Sequence, residues 1–134
     1  MDLTRKRCYY CKIDKERIDF RKNCTKKDGL SSACKVCSDL IKNNKIRENQ
    51  EFVFQYLKLS SCVDCGNTDP VVLDFDHIHG EKKMSISKMI YKIRSRKKII
   101  DEIDKCMVRC ANCHRTKTAK DFNYFRFQKT QEVK

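Results

Sequence analysis

The chain has 134 residues, with 31 Lys or Arg against 18 Asp or Glu, a formal net charge of +13 at neutral pH. That length allows one domain or two very small ones, and with 37% of residues charged little apolar surface is left for a large core. No stretch approaches the ~20 apolar residues of a membrane span, and the basic N-terminus MDLTRKRCYYCK lacks the apolar run of a secretory signal.

Without export the chain is expected in the cytoplasm. There, ten cysteines argue for thiolates on metal rather than disulfides, so no disulfide-linked partner is expected. The charge points to a polyanion, with nucleic acid ahead of a membrane surface. Both halves share it: residues 1–60 carry 15 basic and 8 acidic side chains, and residues 61–134 carry 16 and 10.

Residues 1–37 are cysteine-punctuated and turn-rich, with Asp28-Gly29 as a hairpin-type turn signal. They hold Cys8-x-x-Cys11 and Cys34-x-x-Cys37. Residues 38–59 contain no Gly or Pro and predict a linking helix, with Ile46, Val53 and Leu57 on one apolar stripe. Residues 60–121 form the third part. VVLDFDHI (71–78) is β-branched and aromatic and predicts a strand. Ile86, Met89, Ile90, Ile93, Ile100, Ile103 and Met107 recur at helical spacing and predict two short helices broken near Arg94–Arg96. A short strand at 107–110 and a helix at 113–120 follow. In the tail, 122–134, Phe122, Tyr124, Phe125 and Phe127 are expected to pack and the end to fray. The fold class is therefore α+β.

Cys62-x-x-Cys65 and Cys110-x-x-Cys113 form a second quartet. Two intervening residues put both sulfurs on one side of a tight turn, where they supply two corners of a tetrahedron. Two such turns close a structural zinc site with no open position. Each quartet thus predicts one structural Zn²⁺. Cys24 and Cys106 are left over, as buried small residues or spare thiols. Lys88, Lys92, Arg94, Arg96, Lys97 and Lys98 form the densest basic run, with no acid among them. It is either a solvated helix face or a phosphate-tracking patch.

Asp76-His77 ends the predicted strand, and His114 directly follows the last cysteine. A carboxylate with an imidazole suits a divalent ion that keeps open positions, and a free imidazole serves as general base near neutral pH. LDFDHI…CANCHRTKT, flanked by C-x-x-C pairs, resembles the HNH endonucleases, the ββα-metal nucleases, over residues 62–120. FRKN…KKDGLSSACKVC is similar to the zinc-ribbon segment that precedes the nuclease in some phage-encoded members. The resemblance implies a small zinc-stabilised ββα-metal, treble-clef-like domain behind a zinc ribbon and a linking helix. It also implies a bacterial host cell and a phage or mobile-element origin.

Carried over residue by residue, the resemblance makes Asp76 and His114 ligands of a catalytic Mg²⁺ or Mn²⁺. It makes His77 the general base, and double-stranded DNA the substrate, cut to 5′-phosphate and 3′-hydroxyl ends. The family's base-orienting asparagine falls at Lys105 here, which leaves a backbone carbonyl to hold His77. His79 lies outside the motif. The alternative is a zinc-dependent nucleic-acid-binding module without catalysis.

Overall fold

Short extended runs, too brief to stand alone, pair into three two-stranded antiparallel sheets, and longer helix-forming runs separate them. The computed structural model describes residues 4–132. It is α+β and divides into two compact units between Arg47 and Glu48. Among the described residues no helix is long and apolar enough to cross a membrane.

In the first unit β1 (Arg5–Arg7) pairs with β2 (Asp14–Glu16), and Cys8 and Cys11 lie in the loop between them. A 3-10 turn at Arg17–Asp19 leads into β3 (Phe20–Lys22), which pairs with β4 (Leu30–Cys34) in the register Phe20↔Cys34. The expected turn at Asp28-Gly29 is present, with Gly29 at φ 71° just before β4. The buried cluster is Cys8, Phe20, Cys34 and Cys37, so one phenyl ring and three sulfurs make up the core. A core that small needs a cross-link to stay folded.

Helix α1 (Lys35–Lys58) starts directly where β4 ends, three residues before the sequence reading placed it. Cys37 therefore lies in its first turn. Beyond Arg47 the helix belongs to the second unit. There Val53 is buried, Leu57 packs on the cluster of Cys62, Leu73, Val108 and Cys110, and the Tyr56 ring lies 5.7 Å from that of Phe75.

The second unit continues with β5 (Leu73–His77), α2 (Ile86–Tyr91), α3 (Arg96–Ile103), β6 (Cys106–Cys110), α4 (Ala111–Asp121) and α5 (Phe125–Glu132). Strands β5 and β6 pair without a slip from Leu73↔Cys110 to His77↔Cys106. Ser85 caps α2 by accepting from the Lys88 N–H, and Ser95 caps α3 by accepting from that of Lys98. The second cap explains why the apolar pattern breaks near Arg94–Arg96.

The two units use one plan twice. In each, the first cysteine's N–H donates to a carbonyl five residues on (Cys8 to Ile13, 3.0 Å; Cys62 to Asn67, 2.8 Å). Its own carbonyl accepts from a left-handed residue four on (Lys12, φ 60°; Gly66, φ 74°), at 2.9 Å in both cases. In each, the other cysteine pair straddles a strand-to-helix junction, at β4–α1 and at β6–α4.

Two apolar expectations are corrected. Phe122, Tyr124 and Phe125 are 72%, 53% and 70% exposed, so the aromatic half of the tail does not pack into the core. Phe122 and Tyr124 stack on each other instead, and α5 runs on to Glu132. The expected fraying concerns a chain end whose last two residues lie outside the described ones. On α3 the core position is Ile99, fully buried, rather than Ile100, which is 40% exposed. Ile99→Ala should therefore cost about 2–5 kcal/mol in chemical denaturation, and Ile100→Ala a small fraction of that; equal losses would contradict this placement of α3.

Candidate functional site

In each quartet the four Sγ atoms lie within 4.8 Å of one another, and all ten cysteines are free thiols. Zinc–sulfur bonds of 2.3 Å in a tetrahedron put sulfurs roughly 3.8 Å apart. Cys65 and Cys110 Sγ stand at 3.7 Å. Each quartet has the donors and the spacing to hold a structural zinc.

Electrostatics favours a cation at both. Burial opposes ionisation of the Cys8 thiol, but N–H groups of Cys34, Cys11 and Tyr10 point at its sulfur and bring it down to about 6. The Cys110 N–H does most to hold Cys62 at about 6, against its burial. Burial and the neighbouring sulfurs push Cys37 up to about 12, and the Cys110 sulfur together with burial raises Cys113 as well. Four sulfurs this close cannot all ionise without a positive charge among them.

The second quartet also builds the ground under Asp76 and His114. Cys110 Sγ accepts from the Cys113 N–H and so caps α4, which places His114, the fourth helical residue, at the end of the first turn. Helix α4 packs on β5 and β6. His114 Nε2 stands 3.5 Å from Asp76 Oδ1, and His114 Nδ1 stands 3.8 Å from Asp74 Oδ2. A carboxylate oxygen and an imidazole nitrogen 3.5 Å apart fit two ligand positions of one divalent ion. Asp74, unnoticed in the sequence, thus lies near the other nitrogen of the same ring, beyond hydrogen-bond length. His114, Asp74, Phe75 and Lys82 border a groove of about 410 Å³.

Asp76 is also held by cations of the chain itself. Arg109 Nη1 donates to its Oδ2, Lys117 Nζ stands 3.7 Å from that Oδ2, and Arg109 Nε donates to Asp64 Oδ2 at 2.7 Å. Arg109 is buried, and the hydrogen bond to Asp64 is the first cause holding its guanidinium charged.

His77 takes the other face of β5, as neighbours on a regular strand must. Its Nε2 bonds to Glu102 Oε1 at 2.9 Å. The carboxylate of Glu102, not a backbone carbonyl, therefore holds the ring. Glu102 is 1% exposed, and also accepts from Lys105 Nζ at 2.8 Å and the Lys83 N–H at 3.0 Å. Burial opposes its ionisation, but those donors win and hold its carboxyl at about 2. An ionised carboxylate only accepts, so Nε2 carries the hydrogen of that bond. Lys105, at the asparagine position, acts on His77 only through Glu102. The strand ends at His77, where the N–H groups of Ile78 and His79 both turn to the Lys105 carbonyl. His79 is exposed.

The basic run does not form one face. Lys88 lies on α2 and Lys92 caps its C-terminus, Arg94 is in the turn, and the other three open α3. Arg96 sits over the Phe52 ring at 4.5 Å, and Lys97 pairs with Asp101 at 2.9 Å. Of the leftover cysteines, Cys24 is exposed and Cys106 donates to the Glu102 carbonyl. Burial, then the charges of Glu102 and Asp76, push Cys106 up to about 11, so it stays a thiol.

No family model, curated protein or solved structure matches the chain. The likeness to HNH endonucleases rests on the motif residues themselves.

Two measurements check this geometry. Metal analysis of the purified chain should give two zinc ions, and Cys62→Ser should give one and a collapsed second unit, since a structural zinc contributes on the order of 10 kcal/mol in small modules; an unchanged circular-dichroism melt would contradict the site. Glu102 has an ordinary carboxyl value of 4.5 and a folded one of about 2. Its stabilisation is thus full above pH 4.5 and lost as pH falls toward 2. Denaturation at pH 7, where that contribution is full, should find Glu102→Gln weaker than the parent; equal stability would contradict the Glu102 contacts.

Proposed function

We propose that this chain is a metal-dependent DNA endonuclease of the HNH type, its second unit a zinc-stabilised ββα-metal domain. The observation that carries the reading is the approach of His114 Nε2 to Asp76 Oδ1, at 3.5 Å, across 38 residues of sequence. On the opposite face of the same strand, His77 is held by a buried carboxylate.

Asp76 and His114 would hold one Mg²⁺ or Mn²⁺. When bound, such an ion supplies positive charge for the scissile phosphate and the leaving oxygen. The remaining work falls to the chain. His77 Nδ1 takes a proton from a water whose oxygen attacks phosphorus, and Glu102 accepts from Nε2–H and steadies the imidazolium that forms. The phosphorus–O3′ bond breaks and the departing oxygen takes a proton from solvent, which leaves 5′-phosphate and 3′-hydroxyl ends. Alternation along β5 suits in-line displacement, because it puts His77 on the face opposite Asp76 and His114, the residues that would hold the ion. The two structural zinc ions keep no open position and do no chemistry.

One observation favours a second reading, a zinc-dependent nucleic-acid-binding module without catalysis. Arg109 already neutralises Asp76 Oδ2, which weakens the attraction of a further cation there. A plasmid-nicking assay separates the two. With Mg²⁺ or Mn²⁺ the zinc-loaded chain should nick supercoiled DNA. His77→Ala should slow it by ~10²–10⁴-fold, the usual worth of a general base, with DNA binding retained. No nicking by the parent chain, or equal nicking by His77→Ala, would overturn the nuclease reading.

A further inference from the structure

A second cavity, of about 440 Å³, lies across Glu102 from His77. Its charge is unbalanced. The two acids that line it are spoken for: Asp101 pairs with Lys97, and Glu102 with Lys105 and His77. Three cations that line it, Lys83, Arg94 and Lys98, have no side-chain hydrogen bond or ion pair among the described residues. Met84 and Met89 supply its apolar wall.

Its frame is fixed by the backbone. The Lys83 N–H donates to Glu102 Oε1. The Arg94 N–H donates to the Met89 carbonyl at 3.0 Å, and the Arg94 carbonyl accepts from Asn49 Nδ2 at 3.2 Å. The Lys98 N–H reaches the Ser95 cap. Three exposed cations without side-chain partners thus line one concavity from three anchored points, an arrangement that favours a compact multivalent anion over a neutral ligand.

We propose that this cavity is a phosphate-binding site, distinct from the Asp76–His114 pair, that takes a phosphoryl group between Lys83, Arg94 and Lys98. Two sources share that chemistry: a backbone phosphate of a bound DNA strand, and a free 5′-nucleotide or inorganic phosphate. The assignment leans on the nuclease reading only for the first source. An occupant would sit against Glu102, so filling the cavity would press on the carboxylate that holds His77.

The test uses the full zinc-loaded chain with ¹³C-labelled methionine methyls, without added Mg²⁺ so that DNA stays intact. The probes are inorganic phosphate, 5′-dAMP and a short DNA duplex. The methyls of Met84 and Met89 should shift on addition, while that of Met107 on β6 stays still. Arg94→Gln/Lys98→Gln should remove those shifts, and should lower the slope of log affinity for the duplex against log salt by ~0.9, the loss of one phosphate contact. Lys129→Gln, on α5 and paired with Glu132 well outside the cavity lining, should change neither. A response to DNA alone assigns the site to the strand; a response to phosphate or dAMP alone assigns it to a small anion. No shift with any probe, or shifts that persist in the double variant, would overturn the proposal. A chain that binds these probes but never nicks DNA would leave the site standing and remove the nuclease reading.

Discussion

Everything here hangs on closing four sulfurs around a point. In each unit one cysteine pair sits in a tight loop and the other where a strand becomes a helix, so bringing the four together staples a loop to that junction. In the second unit the consequence is direct. Cys110 ends β6 in register with Leu73, and its sulfur caps α4. The helix then leaves the sheet in a set direction and presents His114 toward β5. With only small apolar clusters beside either quartet, burial alone is a weak guarantor of that geometry.

Once β5 is fixed, its alternation divides the labour. Asp76 faces α4, where Arg109, Lys117 and His114 gather around it. His77 faces α3, where Glu102 takes its ring nitrogen. Two adjacent residues thus work in separate electrostatic environments. One holds a carboxylate among cations. The other holds an imidazole by its Nε2 against a buried anion. Both arrangements are costly to bury, and both are fully paired: among the described residues no buried side-chain polar atom lacks a partner.

Much of this was legible in the residue order, because ligand spacing is a local property. Four C-x-x-C pairs announce two tetrahedral sites, and the β-branched and aromatic run at 71–78 announces β5. Proximity that depends on packing was not legible. Glu102 falls within RKKIIDEI, where an acid reads as one more solvated charge, yet the packing of α3 buries it along with Ile99 and Ile103. Ile99 and Ile100 are chemically identical, so the pattern could not say which faced inward. Arg109 sits between apolar strand residues and has no sequence mark of its bond to Asp76. The tail aromatics misled for a related reason: they resemble core residues, yet α5 meets little besides α4. Helix α1 starts early because Cys37 must stand in its first turn beside Cys34, a demand of the metal site that helix propensity does not record.

A carboxylate and an imidazole that share a cation at the β5–α4 face would leave a direct spectroscopic mark. Electron spin echo spectroscopy of Mn²⁺ added to the zinc-loaded chain reads this without any reaction. One bound Mn²⁺ per chain, coupled to a single imidazole nitrogen that His114→Ala removes, is the expected result. Mn²⁺ that stays free, or binds with no nitrogen in its shell, would contradict it.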